Sequence, residues 1–250
     1  LPLMDDRPSP DSLGTAVLSP STSDSKMNIA PTLSPDGRYV AFISRRNIFN
    51  FNLFVADAET GEVIAELDRA NTTSHFNALR FISSAGTWSP NGRRLAFVSS
   101  DNGDNQLTIW NVETEEVERT IQVDTVPALK NPAWGPDGDR IAFSGTEGGK
   151  SDLYVLNLKT DSVRQLTNDR YADLQPTWAP DGETLAFATD RAETNLRLLA
   201  PSSKMDLGLI NVESREVTVR EPFGDALHHN PQFSPDGESL YFISDQDGFK

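Results

Sequence analysis

Five stretches of the chain repeat one pattern of polar and apolar positions. Each has a Pro-Asp-Gly or Pro-Asn-Gly turn, followed by a run in which apolar residues alternate with other residues up to an aromatic position. The five are TLSPDGRYVAFIS, TWSPNGRRLAFVS, AWGPDGDRIAFSG, TWAPDGETLAFAT and QFSPDGESLYFIS. Proline followed by Asp or Asn and Gly favours a tight turn. Alternation with a period of two predicts a β-strand, so each stretch predicts a β-hairpin.

Two positions in the repeat have a direct structural interpretation. The turn glycine never varies, as a backbone with positive φ requires; the five are Gly37, Gly92, Gly138, Gly182 and Gly237. An aromatic residue precedes the turn in four copies, as Trp88, Trp134, Trp178 and Phe233. We expect these aromatic side chains to pack between neighbouring sheets as core, and not to form a ligand cage.

A third strand and a short fourth strand follow the hairpin, as in DLYVLNLKTDSVRQLT. The turn prolines are 44 to 55 residues apart, which is the length of a four-stranded propeller blade. Radial stacking of such sheets buries both faces of each sheet. Prolines in the first strand favour an edge position beside a central channel; they are Pro31, Pro132, Pro176 and Pro231. The sequence therefore predicts an all-β fold, a β-propeller of four-stranded antiparallel blades with little helix.

The repeat units also predict the domain boundaries. They cover about 29–70, 80–123, 126–169, 173–223 and 228–250, where the last unit has only two strands, and residues 1–28 read as an irregular lead-in. Either Gly14 to Asp24 supplies a closing strand, or the chain is truncated within a ring that has six blades when complete; we favour truncation. Insertions at Asp68 to Ala85 and Arg191 to Lys204 interrupt the period. They are candidates for binding loops, with a neutral insertion as the alternative.

The repeats closely resemble PD40 repeats, the WD40-like propeller repeats of the TolB family. The resemblance is carried by SPDG at Ser34 to Gly37 and Ser234 to Gly237, and by SDLYVLNLKT at Ser151 to Thr160. It implies a six- or seven-bladed propeller in the bacterial periplasm or at the cell surface. It also implies a platform for protein partners, such as the peptidoglycan-associated lipoprotein and other envelope proteins. The units are similar, too, to propellers that gate prolyl oligopeptidase-type enzymes and to oligogalacturonide lyases, in which channel histidines hold a metal.

Charge and composition exclude several functions. The formal net charge of −15 argues against binding to nucleic acid or anionic lipid, because both need a basic surface. The chain has no cysteine, so disulfides, thiol catalysis and Cys-zinc sites are excluded. No apolar run approaches the roughly 20 residues of a membrane-spanning helix.

The sequence offers no motif for catalysis. It contains neither His-Glu-x-x-His nor Gly-x-Ser-x-Gly, the patterns of two large hydrolase classes, so we expect no catalytic residue and no metal site in the chain. GTEGGKS at Gly145 to Ser151 misses the phosphate-loop spacing by one residue and precedes a strand, which predicts a loop between two strands. Ca²⁺ is an open alternative at the acidic loops Ser99 to Gln106 and Ser244 to Gly248, where solvated turns are favoured.

Candidate binding residues lie just ahead of the first-strand prolines. His228, His229 and Asn230 precede Pro231, while Asn131 and Gln175 hold the position of Asn230 in two other units. If these strands line the channel, their amide and imidazole groups form a ring that could bind a peptide end, a sugar or a metal. The alternative is that they hydrogen-bond buried strand ends or water.

Three functions are consistent with these observations. The favoured one is a non-catalytic scaffold of the bacterial cell envelope that binds a protein or peptide. The second is a substrate-gating propeller of a larger peptidase or hydrolase whose catalytic residues lie outside this chain. The third is a metal-dependent polysaccharide lyase-like propeller that uses the channel histidines.

Overall fold

The structure is a computed structural model of the 250-residue chain. It describes residues 17–18, 27–44, 52–67, 85–101, 104–124, 126, 128–191, 204–223 and 226–246. These residues form 18 β-strands and no helix. Among them there is accordingly no helix with the length and apolar character needed to cross a membrane.

The strands form four four-stranded antiparallel sheets and one two-stranded sheet, which we call blades 1 to 5. Their bounds are: blade 1, β1 (Asn28–Leu33), β2 (Tyr39–Ser44), β3 (Asn52–Asp57) and β4 (Val63–Leu67); blade 2, β5 (Thr87–Trp88), β6 (Arg94–Asp101), β7 (Asp104–Asn111) and β8 (Glu116–Gln122); blade 3, β9 (Ala128–Trp134), β10 (Arg140–Glu147), β11 (Lys150–Asn157) and β12 (Val163–Gln165); blade 4, β13 (Asp173–Trp178), β14 (Thr184–Thr189), β15 (Asp206–Asn211) and β16 (Val217–Arg220); blade 5, β17 (His228–Phe233) and β18 (Leu240–Ser244).

The blades are arranged radially. In each complete blade the strands pair in chain order, so that the first strand is an edge. First strands of consecutive blades contact one another, from β1 with β5 to β13 with β17, which places them around a common axis. The predicted all-β propeller is thus confirmed, with four complete blades and two strands of a fifth.

Among the described residues, three hydrophobic cores lie between consecutive blades, and each takes side chains from both. In the core between blades 2 and 3, Leu107 and Ile109 of blade 2 meet Trp134, Ile141 and Phe143 of blade 3. The cores between blades 1 and 2 and between blades 3 and 4 are built in the same way. Because both faces of a sheet are buried, apolar residues fill consecutive positions of the second strand, as in β14.

The repeated tryptophans lie in these cores. Trp88, Trp134 and Trp178 are 6%, 7% and 7% exposed, whereas Phe233 of blade 5 is only half-buried. The indole nitrogen of Trp88 donates to the carbonyl oxygen of Thr32 in the preceding blade, at 3.1 Å. The indole is therefore both a core side chain and a polar link between blades.

The five turn glycines have φ between 69° and 74°, the left-handed region that glycine occupies without steric penalty. In blade 1, the Oγ of Ser34 donates to Asp36 Oδ1 at 2.6 Å and accepts the backbone N–H of Tyr39 at 2.9 Å. Ser89 and Ser234 make the same pair of bonds in blades 2 and 5. These side chains stabilise the turn that the sequence predicts.

Several predicted segments fall wholly or mostly outside the described residues. They include most of the insertions, at 68–84 and 192–203, and most of the segment Gly14 to Asp24. Within that last segment, Leu18 packs against Val40, Phe42 and Phe54 on the face of blade 1 that points away from blade 2.

Candidate functional site

One end of the propeller collects the candidate residues. We call it the upper face: the end at which the first strand of each blade begins and the second strand ends. The register marks it by the pairs Asn28 with Ser44, Asp173 with Thr189 and His228 with Ser244. In each pair the side chains are hydrogen-bonded, at 2.8 Å, 2.8 Å and 3.1 Å. A polar cross-strand pair therefore recurs at this position in blades 1, 4 and 5.

The residue before each first-strand proline has an unusual backbone. Ala30, Asn131, Gln175 and Asn230 have φ between 50° and 56°, although a residue before proline favours an extended conformation. The pairing register shifts at each of these sites. The bulge re-aims the side chain relative to a regular strand, and backbone strain of this kind often accompanies functional positions.

Two of these residues link three blades. The backbone N–H of Gln175 donates to Ser144 Oγ in blade 3 at 3.1 Å. The side-chain Oε1 of Gln175 accepts the backbone N–H of Asn230 in blade 5 at 2.8 Å. The carbonyl end of the Gln175 amide is thus occupied by the protein itself, while all three candidate amide residues, including Asn131, are half-buried.

His228 is fully buried at the start of β17. Its Nδ1 lies 3.1 Å from Ser244 Oγ and its Nε2 lies 3.2 Å from the carbonyl oxygen of Phe223. The rings of Phe223 and Phe242 pack edge-on against the imidazole, with centroids 5.8 Å and 5.3 Å away. Both ring nitrogens therefore have protein partners, Ser244 in blade 5 and Phe223 in the connection that leads into it, as the hydrogen-bonding alternative for this residue expects.

His229 differs from its neighbour. It is half-buried, and its Nδ1 is a buried atom that has no hydrogen-bond partner among the described residues. Burial lowers the pKa of His229, and the nearby His228 lowers it further, while Asp245 raises it. A lowered pKa favours the neutral ring at physiological pH, and the hydrogen-bonding capacity of its buried Nδ1 is unused among the described residues.

A second polar group, which no sequence motif indicates, lies where blade 3 meets blade 4. We call it the Asp–Arg cluster: Asp152 of β11, Asp169, Asp173 of β13 and Arg191. The Arg191 guanidinium pairs with Asp173 Oδ1 and with Asp169 Oδ2, the latter at 2.5 Å. One carboxylate oxygen from each aspartate lies within 4.8 Å of the other two. No spacing motif joins these residues, so only the packing of two blades brings them together.

The electrostatics of the Asp–Arg cluster reflect its burial. Burial raises the pKa of Asp173 above its ordinary value, against the opposing effect of Arg191. Burial also raises the pKa of Asp152, and the charge of Asp169 adds to that rise. Ionised carboxylates lose hydration when they are buried, and a like charge nearby increases the penalty.

The glycine-rich stretch and the two acidic loops are the remaining sequence candidates. Gly145 to Ser151 belongs to the hairpin of β10 and β11, in which Glu147 pairs with Lys150 across Gly148 and Gly149. Both glycines have positive φ, as a two-residue hairpin turn requires. Of the acidic loops, residues 102–103 and 247–248 lie outside the described residues. Asp245 accepts the backbone N–H of Leu227 at 2.6 Å.

The fold and the polar upper face define this chain as a β-propeller whose blades are PD40-type repeats. Residues 63–196 match the model of the PD40 family, the TolB beta propeller domain. The chain belongs to this family. No curated protein matches the sequence significantly.

Solved structures with the same fold include two TolB proteins. TolB from Acinetobacter baumannii is 22% identical, with a TM-score of 0.63 over 86% of this chain and 48% of its own. A protein assigned as TolB from Agrobacterium tumefaciens is 17% identical, with a TM-score of 0.68 over 88% of this chain and 76% of its own. This chain thus spans about half the length of the Acinetobacter protein.

An oligogalacturonate lyase in complex with manganese also has this fold. It is 17% identical, with a TM-score of 0.61 over 88% of this chain and 59% of its own. At such identities the likeness concerns the fold, and function has to be argued from the residues of this chain.

Proposed function

We propose that this propeller is a non-catalytic scaffold that binds a protein or peptide at its upper face, near the channel mouth. The observation that carries the proposal is the contrast between His228 and His229. The first has both nitrogens engaged by protein atoms, whereas the second keeps a buried Nδ1 without a partner among the described residues. A buried polar atom without a partner costs about 1–3 kcal/mol, so a ligand towards which the half-buried imidazole turns this nitrogen gains binding free energy.

The chemistry of the site suits a peptide backbone. A neutral imidazole can pair with an N–H or a C=O group, depending on its tautomer. Gln175, half-buried on the neighbouring inner strand, adds the donor end of its amide, because its Oε1 already accepts the backbone N–H of Asn230. Asn131 lies half-buried one inner strand further along. We therefore propose an uncharged hydrogen-bonding segment, such as an extended peptide or a chain terminus, as the ligand class.

The cell envelope of a bacterium is the proposed location. Membership in the TolB propeller family and the fold shared with two TolB proteins support this proposal. The periplasm or the cell surface would supply envelope proteins as partners. The acidic net charge of −15 disfavours nucleic acid as the ligand.

The gating and lyase alternatives make different demands on the histidines. A lyase-like metal site that uses both His228 and His229 would have to break the hydrogen bonds of His228 with Ser244 and Phe223. A gating propeller would not need either histidine. The engaged state of His228 therefore favours the scaffold over the lyase.

Selection from a phage-displayed library of random dodecapeptides tests the proposal. We expect selected peptides to bind the immobilised chain. Their affinity for His229→Ala should be about tenfold lower, which corresponds to roughly 1.4 kcal/mol. Glu183→Ala is the matched control, because Glu183 is exposed in the turn at the opposite end of blade 4. Peptides whose affinity is the same for wild type and His229→Ala would contradict the proposed site.

A further inference from the structure

The Asp–Arg cluster has more negative than positive charge in a confined space. Asp152 and Asp173 are 5% and 0% exposed, and Asp169 is half-buried. Against these three carboxylates the cluster has one guanidinium, that of Arg191, so two negative charges are left over. With carboxylate oxygens within 4.8 Å of one another, this excess is strongly repulsive in a partly dehydrated site.

Asp173 supplies a second and independent observation. Its Oδ1 is occupied by Arg191 and by Thr189 Oγ1. Its Oδ2 is buried and has no partner within hydrogen-bonding geometry among the described residues, although the Thr167 hydroxyl is near enough to lower the pKa of Asp173. Buried carboxylates are normally paired on both oxygens or coordinate a metal, so this oxygen is an open ligand position.

We propose that Asp152, Asp169 and Asp173 bind one hard divalent cation, with Ca²⁺ as the best fit, at the junction of blades 3 and 4. Every atom of the cluster that could coordinate a metal is a carboxylate oxygen, which favours Ca²⁺ or Mg²⁺ over metals that prefer nitrogen or sulfur. Two positive charges from the ion and one from Arg191 balance the three carboxylates. Ca²⁺ tolerates irregular geometry and completes its shell with water, whereas Mg²⁺ demands a nearly ideal octahedron.

The position of the cluster indicates what the ion would do. Asp152 belongs to β11 of blade 3, Asp169 to the connection between β12 and β13, and Asp173 to β13, the first strand of blade 4. An ion held by all three would join the two blades at the upper face. This inference is independent of the proposed peptide site, which depends on His229 in blade 5.

Proton binding is the competing way to neutralise the cluster, because burial raises the pKa of both Asp152 and Asp173. The two cases differ in their response to pH. Cation binding requires deprotonated carboxylates and releases protons, so affinity for Ca²⁺ rises with pH. Protonation alone leaves no response to Ca²⁺ at any pH.

The test uses the whole chain, stripped with a chelator and titrated with CaCl₂ by calorimetry and by thermal unfolding. We expect one bound ion per chain and a rise in Tm of about 2 °C or more at saturation. Asp152→Asn should weaken binding at least tenfold. Asp181→Asn is the matched control, because that carboxylate lies in the exposed turn of blade 4 and accepts the N–H groups of Glu183 and Thr184.

Arg191→Gln separates an ion site from a simple ion pair. If the cluster binds Ca²⁺, this variant has a larger excess of negative charge, so it should be destabilised without the ion and rescued by it. The absence of heat and of a Tm shift in the wild type at millimolar CaCl₂ would overturn the proposal. So would equal binding by Asp152→Asn, which would indicate an adventitious ion only. If Asp173→Asn fails to fold, Asp152→Asn and Asp169→Asn carry the test.

Discussion

The guanidinium carbon of Arg140 lies 4.5 Å from the centre of the Trp178 ring in the next blade. The same guanidinium donates to the carbonyl oxygen of Gly182 at 2.7 Å. From the other side, Trp178 Nε1 donates to the carbonyl oxygen of Ala133 in blade 3 at 3.0 Å. Trp178 is therefore linked to blade 3 by a cation–π contact and a hydrogen bond, in addition to its apolar burial.

Replacement of Trp178 by Phe should destabilise the chain by about 1–3 kcal/mol. The change removes the bond to Ala133 and part of the indole packing, but keeps an aromatic ring. Urea unfolding followed by circular dichroism measures the change. Val117→Ala is the control, because Val117 is 56% exposed and should change stability by less than about 0.5 kcal/mol. Equal stability of both variants would mean that the contacts of Trp178 do not stabilise the junction between the blades.

Gly208→Ala should destabilise blade 4 because of one neighbour. A Cβ atom at Gly208 would lie 2.3 Å from Cζ of Phe187, the residue opposite it in the sheet. Phe187 is fully buried, so its ring cannot move aside freely, and overpacking of this kind costs about 1–3 kcal/mol. Phe187→Leu shortens the opposing side chain and should reduce the cost of the alanine. A double-mutant cycle measured by urea unfolding checks this coupling, and strictly additive changes would contradict it.

Glu115→Gly should stabilise the chain by about 0.5–1 kcal/mol. Glu115 has φ of 56° in the exposed turn between β7 and β8, and the left-handed region penalises a residue with a Cβ by roughly 1–2 kcal/mol. Glycine relieves that strain at some cost in chain entropy. The adjacent Glu116→Gly makes the same chemical change in β8, at a residue without positive φ, and should be destabilising. Thermal unfolding of both variants is the measurement, and the same sign for both would refute the argument.

The turn serines should control the acidity of the turn aspartates. The Ser234 hydroxyl lowers the pKa of Asp236 below its ordinary value, with help from the Glu238 N–H. In Ser234→Ala that pKa should rise towards the ordinary value, as seen in an NMR titration of the side-chain carboxyl carbon. Because the folded pKa is depressed, this carboxylate stabilises the fold above its unfolded pKa, and that contribution is lost as pH falls through the folded pKa. Asp181 is the internal control, because Ala179 takes the place of the serine in its turn. An equal rise in the pKa of Asp181 in Ser234→Ala would contradict the mechanism.

The repeat made most of the fold predictable. A turn glycine that never varies, an aromatic residue ahead of it and strict alternation after it are local features, and each has a local physical cause. The spacing of the repeats then predicts a four-stranded blade for each unit. The prolines in the first strands correctly predict an edge position, because a proline cannot donate a ladder hydrogen bond.

The polar contacts of the upper face were harder to predict from the sequence. The different environments of His228 and His229 follow from alternation, since consecutive residues of a strand face opposite sides, and that pattern could have separated them. The role of Gln175 depends on a bulge and on the distance to the next blade, neither of which the sequence specifies. The Asp–Arg cluster depends on three segments that meet only after two blades have packed.

Each inter-blade core is built from one face of a blade and the opposite face of its neighbour. Every junction therefore has the same two halves, whichever pair of units forms it. In evolution, a gene that gains or loses one unit by unequal recombination rejoins two compatible surfaces, and no new interface has to be invented. This modularity accounts for a chain whose units repeat the same buried apolar positions and the same turn, while the segments that connect them differ in length.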